Sequence, residues 1–145
     1  MEKFGFASDH AGFALKQLMI EYFKEKGIEC SDYGCYSQER ADYPDFGHKL
    51  ADAILKGECT MGFAFCGSGN GIAMTLNRHK GVRAAICWCE EIAALAHQHN
   101  DANVCVIPGR FFDKEQAVKI AEAFLSTPYE GGRHQTRIEK IDKFL

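Results

Sequence analysis

The stretch MGFAFCGSGNGIAM, residues 61–74, sets a short apolar run against a cysteine, three glycines in five residues and then a second apolar series. Met61 to Phe65 reads as a buried strand, the glycines as a tight turn, and the segment from near Asn70 as a helix. Strand, tight loop and helix in succession are the repeating unit of a parallel sheet. The same alternation extends in both directions. Further strands are predicted over Lys3 to Ala7, Ile28 to Tyr33, Ala84 to Cys87 and Val104 to Ile107. Ala11, Leu15, Leu18, Met19 and Tyr22 recur at helical spacing before a stop at Gly27, and Phe46, Leu50, Ala53 and Ile54 repeat the pattern before Gly57. A fourth helix is expected over Glu90 to His99. A fifth shows Ala117, Val118, Ala121, Phe124 and Leu125 on one face and ends at Pro128. After the break TPYEGG, the tail from Arg133 to Leu145 reads as a last helix with no strand to follow. The expectation is a single doubly wound α/β domain over residues 1–145, with a five-stranded parallel sheet and an extra C-terminal helix.

The chain has 145 residues, 46% hydrophobic and 26% charged, enough for one core without staples. A net charge of -3 argues against nonspecific binding to nucleic acid or an anionic membrane. No run approaches the roughly 20 apolar residues of a membrane span, and the N-terminus carries no signal-peptide pattern, so a cytoplasmic protein is expected. Seven cysteines without a C-x-x-C pair fit free thiols in a reducing compartment. A zinc set from Cys87, Cys89, His97 and His99 lacks paired-ligand spacing, and no metal or cofactor is expected.

Doubly wound sheets bind ligands beyond the carboxyl ends of their strands. SDHAG, CGSGNG, HND and PGR are the polar segments singled out on that rule. The glycine loop alone needs no function beyond its turn, yet at a helix N-terminus it also aims several N–H groups at one point, suiting a phosphate or an enediolate oxyanion. It is not a P-loop, because no lysine follows. Ile72 stands where a Cys-x5-Arg phosphatase signature needs arginine. A dinucleotide fingerprint belongs after the first strand, although Glu90 lies at a suitable distance for a ribose contact. Cys30, Cys59, Cys87 and Cys105 read as core residues. Cys66 differs by sitting at a strand's carboxyl end against a helix N-terminus, where a lowered thiol pKa is expected. His10 and His99 each fit a helix-capping role as well as a catalytic one. Arg133 and Arg137, at i and i+4 with His134 beside them, could present two guanidinium groups to a phosphate or to solvent.

SDHAGF (8–13), RADYPDFG (40–47), FCGSGNGIAM (65–74), HQHNDANV (97–104), PGR (108–110) and YEGGRHQTR (129–137) occur in the order seen in type B ribose-5-phosphate isomerases. Over essentially its whole length the chain resembles that family, which also includes galactose-6-phosphate and allose-6-phosphate isomerases. The resemblance implies a Rossmann-like α/β/α sandwich, a homodimer or dimer of dimers, and cofactor-free interconversion of ribose 5-phosphate and ribulose 5-phosphate in the pentose phosphate pathway. It implies Cys66 as the base between C1 and C2, Ser68 assisting at the substrate oxygens, and the amides of Gly67, Gly69, Asn70 and Gly71 holding the enediolate. His99 with Asp9 would open the furanose ring, and Tyr43 and Asn100 would contact the sugar. Arg110, Arg133 and Arg137, with His10, would face the phosphate. Members that lack the cysteine place a glutamate just after the glycine loop; Ile72 there puts this chain in the cysteine-using branch. A shared site is expected across a two-fold axis, with Cys66 from one subunit and His99 and Asn100 from the other. The alternatives are an isomerase of six-carbon phosphosugars and a noncatalytic, flavodoxin-like phosphate- or nucleotide-binding module.

Overall fold

A computed structural model describes residues 2–144. Five strands, β1 (Lys3–Ser8), β2 (Glu29–Asp32), β3 (Met61–Cys66), β4 (Ala84–Ile86) and β5 (Val104–Pro108), form one parallel sheet in the order β2-β1-β3-β5-β4. The helices are α1 (Phe13–Glu25), α2 (Tyr43–Leu55), α3 (Asn70–Leu76), α4 (Glu90–Asn100), α5 (Lys114–Ser126) and α6 (Arg133–Ile141). All five expected strands are present. Their limits differ by a residue or two: β1, β3 and β5 each run one residue further toward the ligand edge, which makes Cys66 the last residue of its strand. The final helix stops at Ile141, and Leu145 lies outside the described residues.

The two faces of the sheet follow from the two-residue period of each strand. Phe4, Phe6, Phe63, Phe65, Cys105 and Ile107 point into the layer made by α1, α4 and α5. Ala7, Ala64, Cys66, Val104 and Val106 point into the layer of α2 and α3. One face is therefore aromatic and thick, the other small and close. Right-handed crossovers require this division, because β1→β2 and β4→β5 step across the sheet in one direction while β2→β3 and β3→β4 step in the other. Phe63 stands at the centre of the aromatic layer, with ring centroids 5.4 Å from Phe4, 5.5 Å from Phe6, 5.3 Å from Phe23 and 6.1 Å from Phe124. Leu18, expected on the inner face of α1, is instead 39% exposed, since Leu15, Met19, Ile20 and Phe23 already fill the stripe that reaches the sheet. At α5 the entry is fixed by a reciprocal capping box. The Gln116 amide donates to Asp113 Oδ1 at 2.9 Å, and the Asp113 amide donates to Gln116 Oε1 at 3.0 Å.

Because β1 and β3 are neighbours whose following helices leave toward opposite faces, a crevice opens between their carboxyl ends. Ser8 is level with Phe65, and Cys66 is level with Pro108. Replacing Phe63 with alanine should cost about 3–5 kcal/mol in urea unfolding, as expected for a fully buried aromatic ring. A loss below about 1 kcal/mol would show that the aromatic layer is not the centre of stability.

Candidate active site

Three loops converge at the crevice. α1 starts so close to β3 that a Cβ on Gly12 would lie 2.4 Å from the Phe65 carbonyl oxygen, a space only glycine can occupy. The Asp9 amide donates to Phe65 O at 3.3 Å, and Asp9 Oδ1 accepts from the Gly12 amide at 3.0 Å. The third loop is tied to the second by the Gly109 amide on Cys66 O at 2.8 Å and the Arg110 amide on Gly67 O at 3.1 Å. Arg110 itself is exposed and runs alongside Gly67. α3 is entered through Gly69 at φ 82°, and Ser68 Oγ accepts from the Asn70 amide at 3.2 Å. The Tyr43 ring at the start of α2 fills the place of a Cβ on Gly71, so the glycine at 71 lets the ring lie flat against the loop. His10 Nδ1 lies 3.1 Å from Ala41 O and 3.2 Å from Ala41 N, which leaves Nε2 free to face a ligand. Asp9, His10, Tyr43, Cys66, Gly67, Ser68, Gly69, Asn70, Gly71 and Arg110 thus share one edge of the sheet.

Cys66 points into the α2–α3 layer, and it is buried. Its thiol departs from the expectation of a lowered pKa. Burial pushes it above the ordinary thiol range, and the charge of Asp9 adds to that. The amide groups of Ile72, Gly69 and Gly71 pull in the stabilising direction without offsetting the burial, and α3 has only seven residues to supply a dipole. The other buried thiols behave as core, with Cys59 pushed up to about 11 by burial. All seven cysteines are free.

His99 and Asn100 lie elsewhere. They end α4, just before β5 begins, at the amino edge of the sheet. Cys66 is level with Pro108 at the opposite end of β5, so the length of the strand separates the two groups by on the order of 15 Å. HND therefore does not belong with the carboxyl-edge loops. α6 lies beside the same end of α4. The His134 ring stacks on His99 with centroids 4.3 Å apart and planes 13° apart. Glu130 Oε2 lies 3.8 Å from His99 Nε2. Burial, His99 and Arg133 hold His134 below the ordinary histidine range. With His134 and Ile138 turned inward, Arg133 and Arg137 occupy the exposed face of α6.

Sequence reasoning did not find Arg83 or Glu130. Arg83, just ahead of β4, holds the end of α4. Its Nε donates to Asn100 O and Asp101 O, both at 3.1 Å, and its Nη2 donates to Asp101 O at 2.8 Å and pairs with Asp101 Oδ2 at 3.5 Å. Asp101 adopts φ 45°, ψ 45°, the left-handed conformation that ends the helix. No spacing rule links position 83 to 101; Glu130 at least lies within the quoted YEGGRHQTR segment. The four residues whose spacing argues against a zinc set are divided between the two ends of α4, with Cys87 and Cys89 before it and His97 and His99 in its last turn. His99, Glu130 and His134 do bring ligand atoms within 4.8 Å of one another. Parallel stacked imidazoles send their lone pairs along parallel planes, however, which does not suit a tetrahedral ion.

A family model described as Ribose/Galactose Isomerase matches residues 4–141. Ribose-5-phosphate isomerase B of Escherichia coli is 42% identical over 141 residues, covering 97% of this chain and 95% of the relative. A crystal structure of a ribose 5-phosphate isomerase from Thermotoga maritima superposes with a TM-score of 0.96 at 47% identity, covering 98% of each chain. That of ribose-5-phosphate isomerase B from Mycoplasma genitalium with bound ribulose-5-phosphate gives 0.92 at 41%, covering 98% of this chain and 95% of that one. With a family model that matches residues 4–141, and relatives 42% and 47% identical over nearly the whole chain, the chain belongs to the ribose/galactose isomerase family.

Proposed function

We propose that the protein interconverts ribose 5-phosphate and ribulose 5-phosphate through an enediolate, as a step of the pentose phosphate pathway in the cytoplasm. The observation that carries this reading is Cys66, buried at the switch point between Asp9 and the amide-rich loop Gly67–Gly71. Isomerisation requires a base for the proton on C2 and donors for the charge that develops on O1. On the open-chain aldehyde, the Cys66 thiolate takes the C2 proton, and electrons flow through C1–C2 onto O1, where the loop amides hold the enediolate. The thiol then returns the proton to C1 while the C2 hydroxyl proton passes to O1, assisted by Ser68, leaving the ketone at C2. His99 and Asp9 open the ring, Tyr43 and Asn100 hold the sugar hydroxyls, and His10, Arg110, Arg133 and Arg137 take the phosphate. The chemistry requires neither metal nor cofactor.

Within one chain the two halves of this constellation are on opposite edges of the sheet, so the proposal includes a two-fold assembly, a homodimer or a dimer of dimers. In it the amino edge of one subunit closes the carboxyl edge of the other. The likeness to a Mycoplasma genitalium enzyme with ribulose-5-phosphate bound supports the substrate, and kcat/KM across five- and six-carbon phosphosugars tests it.

Cys66→Ala should abolish turnover while leaving phosphosugar binding nearly intact, measured by isomerase assay and calorimetry. Turnover retained within tenfold would remove the thiol from the reaction. Because burial and Asp9 raise the thiol, the reactive thiolate is scarce at neutral pH. kcat/KM should therefore climb about tenfold per unit from pH 7 toward the thiol pKa. Asp9→Asn removes a charge that raises the thiol, so the rise should move to lower pH; an unmoved profile would detach it from Cys66. Mixed refolding of Cys66→Ala with His99→Asn, each inactive on closed ribose 5-phosphate, should restore roughly a quarter of wild-type activity. Half the random dimers are hybrids, and each hybrid carries one intact site of two. Hybrids that form without recovered activity would place each site within one chain.

A further inference from the structure

Lys16 is a fully buried cation that the reaction does not use. It sits in the first turn of α1. Its Nζ donates to Asp32 Oδ1 at 2.6 Å and to the Cys35 carbonyl at 2.5 Å. The rings of Phe13 and Tyr36 lie 5.3 and 5.7 Å from it, so the remaining N–H faces aromatic π density and no buried side-chain polar atom among the described residues lacks a partner. Asp32 Oδ1 also accepts from the Gly34 amide at 2.9 Å, and the Tyr36 hydroxyl donates to Asp32 O at 3.1 Å. One ammonium thus gathers the end of β2 and the first turns of the segment that leaves it.

That segment, residues 33–42, has no helix or strand of its own and ends at Tyr43, the ring against Gly71. It is pinned at two points. Near its start are the Lys16 contacts and the backbone pair formed by the Ser8 amide on Gly34 O at 2.7 Å and the Cys35 amide on Ser8 O at 2.9 Å. Near its end is the His10 ring on Ala41. Both pins come from the last residue of β1 and the loop and first turn that follow it, so the segment is held to the stretch of chain that carries Asp9. Stability alone gives little reason for such a pair, since replacing a buried ion pair with apolar residues is often neutral or stabilising, whereas fixing a register is its best-attested use.

We propose that Lys16 is a positioning residue: its bond to the Cys35 carbonyl latches residues 33–42, and through them sets where Tyr43 and the Ala41-bound His10 meet the substrate. The role rests on the isomerase reading. Two variants separate it from a packing role. Asp32→Asn keeps both the Lys16 bond to Cys35 O and an oxygen for the Gly34 amide, and should leave KM within about threefold of wild type. Lys16→Met/Asp32→Asn removes the latch without leaving an unpaired buried charge. It should keep the thermal midpoint at or above that of Asp32→Asn, which leaves the buried Lys16 without its carboxylate, raise KM at least about tenfold, change kcat less than KM, and speed amide hydrogen exchange in 33–42 while β1 and β3 stay protected. Wild-type KM in the double variant, an equal KM rise in Asp32→Asn, exchange that quickens throughout the sheet, or failure of the double variant to fold would each overturn the proposal. Wild-type protein without turnover would instead remove the isomerase reading, and the exchange pattern would still report on the latch.

Discussion

The approach of Gly12 to the Phe65 carbonyl is the contact on which the architecture of the crevice depends. It lets α1 begin against the end of β3 instead of above it, and so brings Asp9 level with Cys66. Gly109 completes the packing by donating to Cys66 O. With three backbones this close, no side chain can enter between the loops, and Asp9, Cys66 and Arg110 are brought to one edge of the sheet.

The same closeness explains the electrostatics of the thiol. A residue at the last position of a central strand is covered by its neighbours on both sides, and here α2 and α3 cover it from the small face of the sheet. Burial then outweighs three amide groups. A raised thiol is a stronger base once deprotonated, so in the proposed reaction the burial that makes the thiolate scarce would also make it more basic. Exclusion of water from the crevice would further strengthen the amides' hold on a developing oxyanion.

Much of this was legible in the amino-acid sequence. The alternation of short apolar runs with helical spacing gave the sheet and its layers, and the order of polar segments gave the loops. What could not be read were quantities set by packing between distant segments. The direction of the Cys66 shift depends on how completely α2 and α3 cover it. The outward position of Leu18 depends on the width of the groove over β1 and β3. The separation of HND from the other polar segments follows from α4 running antiparallel to the strands, which was implicit in the helix order but opposed the habit of placing every functional segment at the carboxyl edge. Arg83 carried no local signal, because its partners are backbone carbonyls brought near by the fold.

Asp101, in its left-handed conformation at the end of α4, has a consequence for the unfolded chain as well as the folded one. Glycine would adopt that backbone without strain, yet it would also give the denatured chain more conformations to lose on folding. Aspartate accepts the local strain and brings a carboxylate that meets Arg83 and lies 3.7 Å from His97 Nε2. The last turn of α4, and with it His99, is thereby braced locally through His97 and tied across the fold to Arg83, so its orientation is fixed by these contacts and not by the intrinsic preference of the chain at that point.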